Sequence, residues 1–433
     1  MKGVTDDITW SLGGVTLRSI NGYFDMRNGY LYDGDGLDLA STHVVTDISQ
    51  AYKTVSEDLQ LSSSDQGRLR WVLGAYYYHE DSRSAILVDY TKSIQPLYVN
   101  VGYDPPGTVE SRSTAAYGQV DFNLTDALVL TGGLRYTYDK MDVSRSATIT
   151  DFGMPFFSFA NVPDAASWKK PTWKLGTEYH LLPDAMWYLG YSRGYRSGGF
   201  NLQDTNPAFA PETLDAYETG IKSEWLERRL QVNGSVYYYR YNNKQEVEQD
   251  AVGISLYTNA GKATLKGVEL ELVARATDRL SFEASGSYLD ARYDAFTTAD
   301  PEYPALGVQD LAGRRLPYAP KFQVHVGPEY EQPLGSGLGS LTLRVDYSYT
   351  DAAFVRPFNM WTDRLPAYHR TNATLQWSSD ERRWFVELYG KNLENEAVLS
   401  AFSETGPFNG NVHENAYLDP RTYGIRVRYH FSE

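Results

Sequence analysis

Residues 421–433 read RTYGIRVRYHFSE, and from Tyr423 to Phe431 the stretch alternates without a fault. Tyr423, Ile425, Val427, Tyr429 and Phe431 are apolar, while Gly424, Arg426, Arg428 and His430 between them are small or charged. Successive side chains of a strand point to opposite faces, so a period of two gives one set an oily environment and the other a wet one. A core or a bilayer supplies the first; a solvated surface or a water-filled lumen supplies the second. A slip of one residue would swing Arg426 and Arg428 together onto the oily face, at roughly 2–4 kcal/mol for each near a bilayer midplane, so the register is strongly fixed.

The same period recurs back along the chain. Leu341, Leu343, Val345, Tyr347 and Tyr349 alternate with Thr342, Arg344, Asp346 and Ser348, and Val268, Leu270, Leu272 and Ala274 with Glu269 and Glu271. Leu230, Val232, Gly234, Val236 and Tyr238 form a further apolar set, as do Trp71, Leu73, Ala75 and Tyr77. The pattern predicts about 17 strands, centred near Ile8, Leu17, Val55, Trp71, Tyr117, Leu130, Trp173, Trp187, Tyr217, Val232, Val268, Phe282, Val324, Leu343, Leu375, Val386 and Val427. Little is left for helix.

The connections alternate between short and long. SSSDQG, NLTD, LLPD, LERR, ATDR, PLGSGLGS and SSDERR read as tight turns. Between them come long stretches, such as YLYDGDGLDLAST (30–42) and ARYDAFTTADPEYPALGVQDLAGRR (291–315), expected as loops of about 15 to 30 residues. Compact soluble domains rarely hold even one structureless loop beyond about 12–15 residues. An antiparallel meander with all tight turns at one end and all long loops at the other is the layout of a transmembrane β-barrel of the outer membrane, and it disfavours a soluble sandwich or propeller.

Composition agrees. The 433 residues include 35 Tyr, 9 Trp and 17 Phe, rings that favour strands and membrane interfaces. Mean hydropathy is −0.46, and no run approaches the roughly 18 apolar residues of a membrane helix. A net charge of −15 argues against a nucleic-acid partner, and the absence of cysteine excludes disulfides and thiolate metal sites. The seven histidines are scattered, with no strand-borne pair at i, i+2, and there is no nucleophile elbow. GSGLGS lies between two strands as a turn and is no dinucleotide cradle. The expectation is therefore no enzyme, no metal and no cofactor. The opening MKGVTDDITW lacks the apolar core of a signal peptide.

Several motifs resemble the carboxy-terminal barrel of TonB-dependent outer-membrane receptors. They are TVSEDLQLSSSDQGRLRWVLGAYYY, TAAYGQVDFNLTDALVLTGGLRYTYDK, GYRSGGFN with PETLDAYETGIKSEW, TNAGKATLKGVELEL, LPYAPKF, GKNLENEA and PRTYGIRVRYHF, in family order over nearly the whole chain. The resemblance implies an energised importer of a ferric siderophore or another large nutrient. Its partners would be outer-membrane lipid, the TonB energy-transducing complex, the barrel assembly machinery and a small-molecule metal chelate. Members begin with a signal peptide, a TonB-contacting box and a plug. The resemblance thus implies that residues 1–433 form a partial barrel domain without plug, about 17 strands of a roughly 22-stranded receptor barrel. An odd count makes the first and last strands run the same way, whereas bacterial single-chain barrels are even-numbered, so the chain reads as a fragment unable to act alone as an energised transporter. A passive outer-membrane porin and a soluble all-β binding protein are the alternatives.

Particular residues carry further expectations. Tyr423, Ile425, Val427, Tyr429 and Phe431 would form the carboxy-terminal assembly signature, with Phe431 resembling its terminal aromatic although Ser432 and Glu433 follow. Gly198 and Gly199 would permit a sharp turn, with Asn201 bonding nearby backbone. Glu218, Lys222, Glu269 and Glu271 would point into the lumen. Pro328 suggests a bulge or strand end. No substrate-binding residue is assigned; Tyr30, Tyr32, Trp168 and Trp361 are loop candidates for which packing is the competing role.

Overall fold

The structure, a computed structural model, describes residues 1–33, 43–64, 67–92, 99–102, 107–151, 154–249, 255–300, 302–335, 337–404 and 413–431. Its main element is an 18-stranded sheet in which every pairing is antiparallel. One member, Val99–Gly102, is a short piece beside the far ends of two longer strands. The other seventeen follow in chain order: β1 (Lys2–Ser11), β2 (Val15–Asp33), β3 (His43–Ser63), β4 (Leu69–Lys92), β5 (Gly107–Asn123) and β6 (Leu128–Asp151). Next come β7 (Met154–Leu182), β8 (Ala185–Arg196), β9 (Glu212–Trp225), β10 (Leu230–Asn242), β11 (Lys262–Arg275) and β12 (Leu280–Ala295). The last are β13 (Phe322–Pro333), β14 (Ser340–Thr350), β15 (Tyr368–Ser378), β16 (Trp384–Lys391) and β17 (Thr422–Tyr429). Every centre expected from the period of two falls inside one of these seventeen strands. Each pairs with its neighbours in sequence, and among the described residues β1 and β17 are edges with one partner each.

The register separates two faces. Tyr330, Leu343, Leu375, Leu388 and Ile425 stand opposite one another across β13 to β17, and all five are exposed, Ile425 at 68%. Leu73, Leu134, Leu175, Leu189, Ile221 and Val268 continue this exposed apolar face around the sheet. Contiguous apolar area on that scale is not left to water by a soluble monomer. The opposite face is polar: Arg426 donates to Glu387 over 2.8 Å, and Gly424 leaves room for the Tyr389 ring, over which Arg426 stacks at 5.6 Å.

The packed core lies away from the sheet's middle. Ala260, Ala263, Ala291, Tyr293, Phe296, Leu311, Leu316, Ala319 and Phe358 form it, in and beside the connections at one end. Those connections differ from expectation, because much of their length continues the strands. β6 and β7 pair from Leu128–Tyr179 out to Asp151–Met154, and β2 and β3 pair over the whole of β2. The distal runs, such as DMRNG (25–29), carry polar residues at both parities with Met26 the single apolar side chain, so the period of two loses its contrast. Backbone hydrogen bonds carry the pairing there. The stretch 291–315 is likewise built, with the hairpin Thr297–Ala299/Val308–Asp310 and a turn of 3-10 helix at Pro304–Leu306. Of YLYDGDGLDLAST, residues 34–42 lie outside the described residues.

Pro328 causes neither a bulge nor an end. The ladder from β13 to β14 lapses between Val326–Tyr347 and Glu329–Arg344 and resumes in the same register, while Pro328 stays paired with Phe282 of β12. The missing N–H is absorbed on one side of the strand only.

Candidate functional site

Two regions concentrate polar chemistry: the polar face of the sheet and the cap of connections at its far end. On the polar face, charges are arranged around hubs that span strands. Arg344 of β14 pairs with Asp346, with Glu283 of β12 at 2.9 Å and with Glu329 of β13 at 3.8 Å. Glu218 of β9 accepts from the Tyr188 hydroxyl at 2.6 Å and the Tyr239 hydroxyl at 3.1 Å. Lys222 lies over the Tyr188 ring at 5.8 Å. Glu218, Lys222, Glu269 and Glu271 line one hollow of 610 Å³, so the sequence placed all four on a common wall. Tyr117 donates to Asp58 at 2.7 Å, which repeats the phenol–carboxylate pairing on β3 and β5.

The cap is where the family motifs converge. Gly198 and Gly199 are not turn residues, and neither has a left-handed backbone. A Cβ on Gly198 would lie 2.2 Å from the Phe209 carbonyl and 2.7 Å from the Trp168 ring, and one on Gly199 would lie 2.6 Å from the Phe209 ring. Close approach requires glycine at both, with Gly199 and Phe209 exchanging backbone hydrogen bonds. Asn201 bonds distant backbone: its side chain donates to the Tyr257 carbonyl at 3.0 Å and accepts from the Tyr257 N–H at 2.8 Å. Asn259 does the same with Ala210, and Gln245 donates to the Ser197 carbonyl. GYRSGGFN, the start of PETLDAYE and TNAGKATL thus clasp one another.

Beside the small core lies an ionic knot. Arg356 reaches Asp300 at 3.0 Å, Asp363 at 2.7 Å and Glu302, and all three carboxylates are buried. Burial pushes the Asp363 carboxyl above the ordinary carboxylate range. Tyr293 donates to Glu246 at 2.7 Å, and Thr258 and Thr298 both donate to Glu248. Sequence reading missed the knot because Asp300 meets Arg356 only across 56 residues of chain, and Asp363, 7 residues on, lies in a connection with no strand period to orient it.

The loop candidates scatter. Trp168 packs against Gly198, Trp361 is 85% exposed at a loop tip, and Tyr30 is exposed on β2; the Tyr32 side chain lies outside the described residues. On the final strand, Tyr423, Ile425 and Val427 are exposed on the apolar face, Tyr429 packs against Trp384, and Phe431 is exposed just past β17. Ser432 and Glu433 lie outside the described residues. One mixed group among the described residues, His79, Asp81 and Glu110, has ligand atoms within 4.8 Å of one another. The search for paired histidines could not find it. Arg112 already engages Glu110, which leaves that trio an ion-pair cluster.

Comparisons with known proteins place these features. The model of the TonB-dependent receptor-like β-barrel matches residues 3–393. The pesticin receptor of Yersinia pestis is 24% identical over 359 residues, 82% of this chain and 48% of the relative. The ferrichrome outer membrane transporter/phage receptor of Escherichia coli K12 is 25% identical over 368 residues, 81% of this chain and 44% of the relative. The chain therefore spans about half the length of these relatives. Among solved structures, the ferric yersiniabactin uptake receptor FyuA of Yersinia pestis superposes with a TM-score of 0.79 at 19% identity, covering 98% of this chain and 60% of that one. The siderophore receptor PiuA of Acinetobacter baumannii gives 0.77 at 17% identity, with 99% and 64% covered.

Proposed function

Because the chain belongs to the family of TonB-dependent receptor-like β-barrels, we propose that it forms the wall of an outer-membrane importer of ferric siderophores or similar metal chelates. The exposed apolar face is the lipid contact, the polar face bounds the lumen, and the capped end faces outward, where chelate arrives. In the whole receptor, transport draws on the TonB energy-transducing complex. The family is one of receptors and not of enzymes, and membership displaces the porin and soluble-binder alternatives. Tyr423, Ile425, Val427, Tyr429 and Phe431 serve as the carboxy-terminal signature read by the barrel assembly machinery, and residues 1–433 are barrel domain.

The observation that carries this reading is the row Tyr330, Leu343, Leu375, Leu388 and Ile425, exposed across five strands with charge on the reverse. Cysteines introduced one at a time at Val427 and Arg428 test it in outer membranes. A lipid-soluble reagent should label Val427→Cys and a water-soluble one Arg428→Cys; the opposite result removes the lipid assignment. For transport, iron-55 chelate uptake by the whole receptor should saturate and should cease without TonB.

A further inference from the structure

Among the described residues the apolar face of the sheet is interrupted at mid-depth in one place. Asp6 of β1, Asn21 of β2 and Glu57 of β3 stand opposite one another in a row across three strands. Alternation puts them on the same side as Ile8, Trp10, Tyr23, Val55 and Leu59, all exposed. That face brackets the row along each strand: Val4, Tyr23 and Val55 lie on the loop side, and Ile8, Ser19 and Leu59 on the turn side. Asp6 is five residues from the turn end of β1 at Ser11, and Glu57 six from the turn end of β3 at Ser63. With the rise of a strand and the tilt of a barrel, that is about 13–15 Å above the turns, the middle of an apolar band about 25 Å tall.

The other strands keep charge away from this depth. Within seven residues of the turn end, only β1 and β3 of the seventeen strands place an ionisable side chain on the apolar face. Asn21 cannot serve both acids. Its amide nitrogen donates to Asp6 at 2.9 Å and to Ser19 at 3.0 Å, which takes up both amide protons. Glu57 is exposed and, among the described residues, has neither a hydrogen-bond donor nor a cation in reach; Tyr77, opposite it on β4, is not bonded to it. An ionised carboxylate facing hydrocarbon is costly, so two of them at mid-depth mark a place where something other than lipid meets the wall.

We propose that Asp6, Asn21 and Glu57 are the polar centre of a docking surface within the membrane, taken by a different membrane protein that presents an arginine or lysine at mid-depth. Ile8, Trp10, Tyr23, Val55 and Leu59 form its apolar surround. Charge complementarity fixes the occupant. A second copy of this chain would set acid against acid, and among the described residues its own apolar face offers no cation at this depth. A partner cation meets two acceptors at the centre of an apolar surface, in a medium where a charge-assisted hydrogen bond is stronger than in water. The surface rests on the reading of the apolar face as the lipid contact and adds a lateral partner to that wall.

The test uses the whole receptor in its native outer membranes. A benzophenone amino acid in place of Tyr23, beside the row, should on irradiation give a covalent adduct with one protein, and Glu57→Leu should lower its yield by about tenfold or more. Tyr238 of β10 is the control: it is exposed on the same face, equally eight residues from the turn end of its strand, and should couple to lipid alone. Peptide mapping should place the adduct beside a lysine or arginine of the partner's membrane-embedded surface. Exchanging that cation for Glu should abolish the adduct, and Glu57→Arg should restore it. Glu57→Leu removes a carboxylate from a lipid wall, so the purified variant should withstand urea in vesicles at least as well as the parent, which separates adduct loss from misfolding. An adduct of the Tyr23 position with lipid alone, with a second copy, or with a protein surface lacking a cation overturns the proposal, as does a yield that Glu57→Leu leaves within about twofold. The lipid assignment survives those outcomes while the Tyr238 position couples to lipid; labelling of that position by a water-soluble reagent removes the assignment and the docking surface with it.

Discussion

At the scale of the residue, Ile425 shows what the alternation enforces. It stands opposite Leu388 on the exposed apolar face, while its neighbour Arg426 is bonded to Glu387 on the other. Replacing Ile425 with arginine should cost roughly 2–4 kcal/mol if the site lies near the midplane, seen as a lower urea midpoint in vesicles. Arg426→Gln, which only loosens a half-exposed ion pair, should cost at most about 1 kcal/mol. The orientation of these two residues, and of Glu218, Lys222, Glu269 and Glu271, was legible because period two needs no knowledge of the partner strand. The reason for Gly198 and Gly199 was not legible, since it is set by Phe209 and Trp168 arriving from other parts of the chain.

At the scale of the element, the connections hold the surprise. Strand centres were readable wherever one face was oily, and unreadable in the distal hairpins, where both parities carry polar residues. The two long connections that hold Asp300 and Asp363 depend on Arg356. Arg356→Met should strand three buried carboxylates and destabilise that region by about 3–5 kcal/mol, seen as new protease cleavage between residues 296 and 367. The knot also has a pH dependence. Asp363 holds its proton more tightly folded than unfolded, so its contribution is complete below the ordinary carboxylate pKa and is lost as pH rises through the elevated value. Amide exchange in Ala353–Leu365 should therefore quicken as pH rises through that window, after correction for intrinsic exchange, and Asp363→Asn should flatten the slope.

At the scale of the whole molecule, stability is uneven. Among the described residues β1 is exposed at every position and pairs with β2 alone, and β17 pairs with β16 alone. Hydrogen exchange should be fast along Lys2–Ser11 and Thr422–Tyr429 and slowest in strands bounded on both sides, such as β10 and β11. Equal protection throughout would mean that the two edges have found partners. The cap is a separate matter, a small globular core raised on a wall that has none. Tyr293 is tied to Glu246, Arg356 to Asp300 and Asn201 to Tyr257, each across a long interval of sequence. An immune system meeting this surface would see sculpture and not peptides. Sera raised against the folded chain would lose their target on boiling, and sera raised against single loop peptides would be blind to the folded chain.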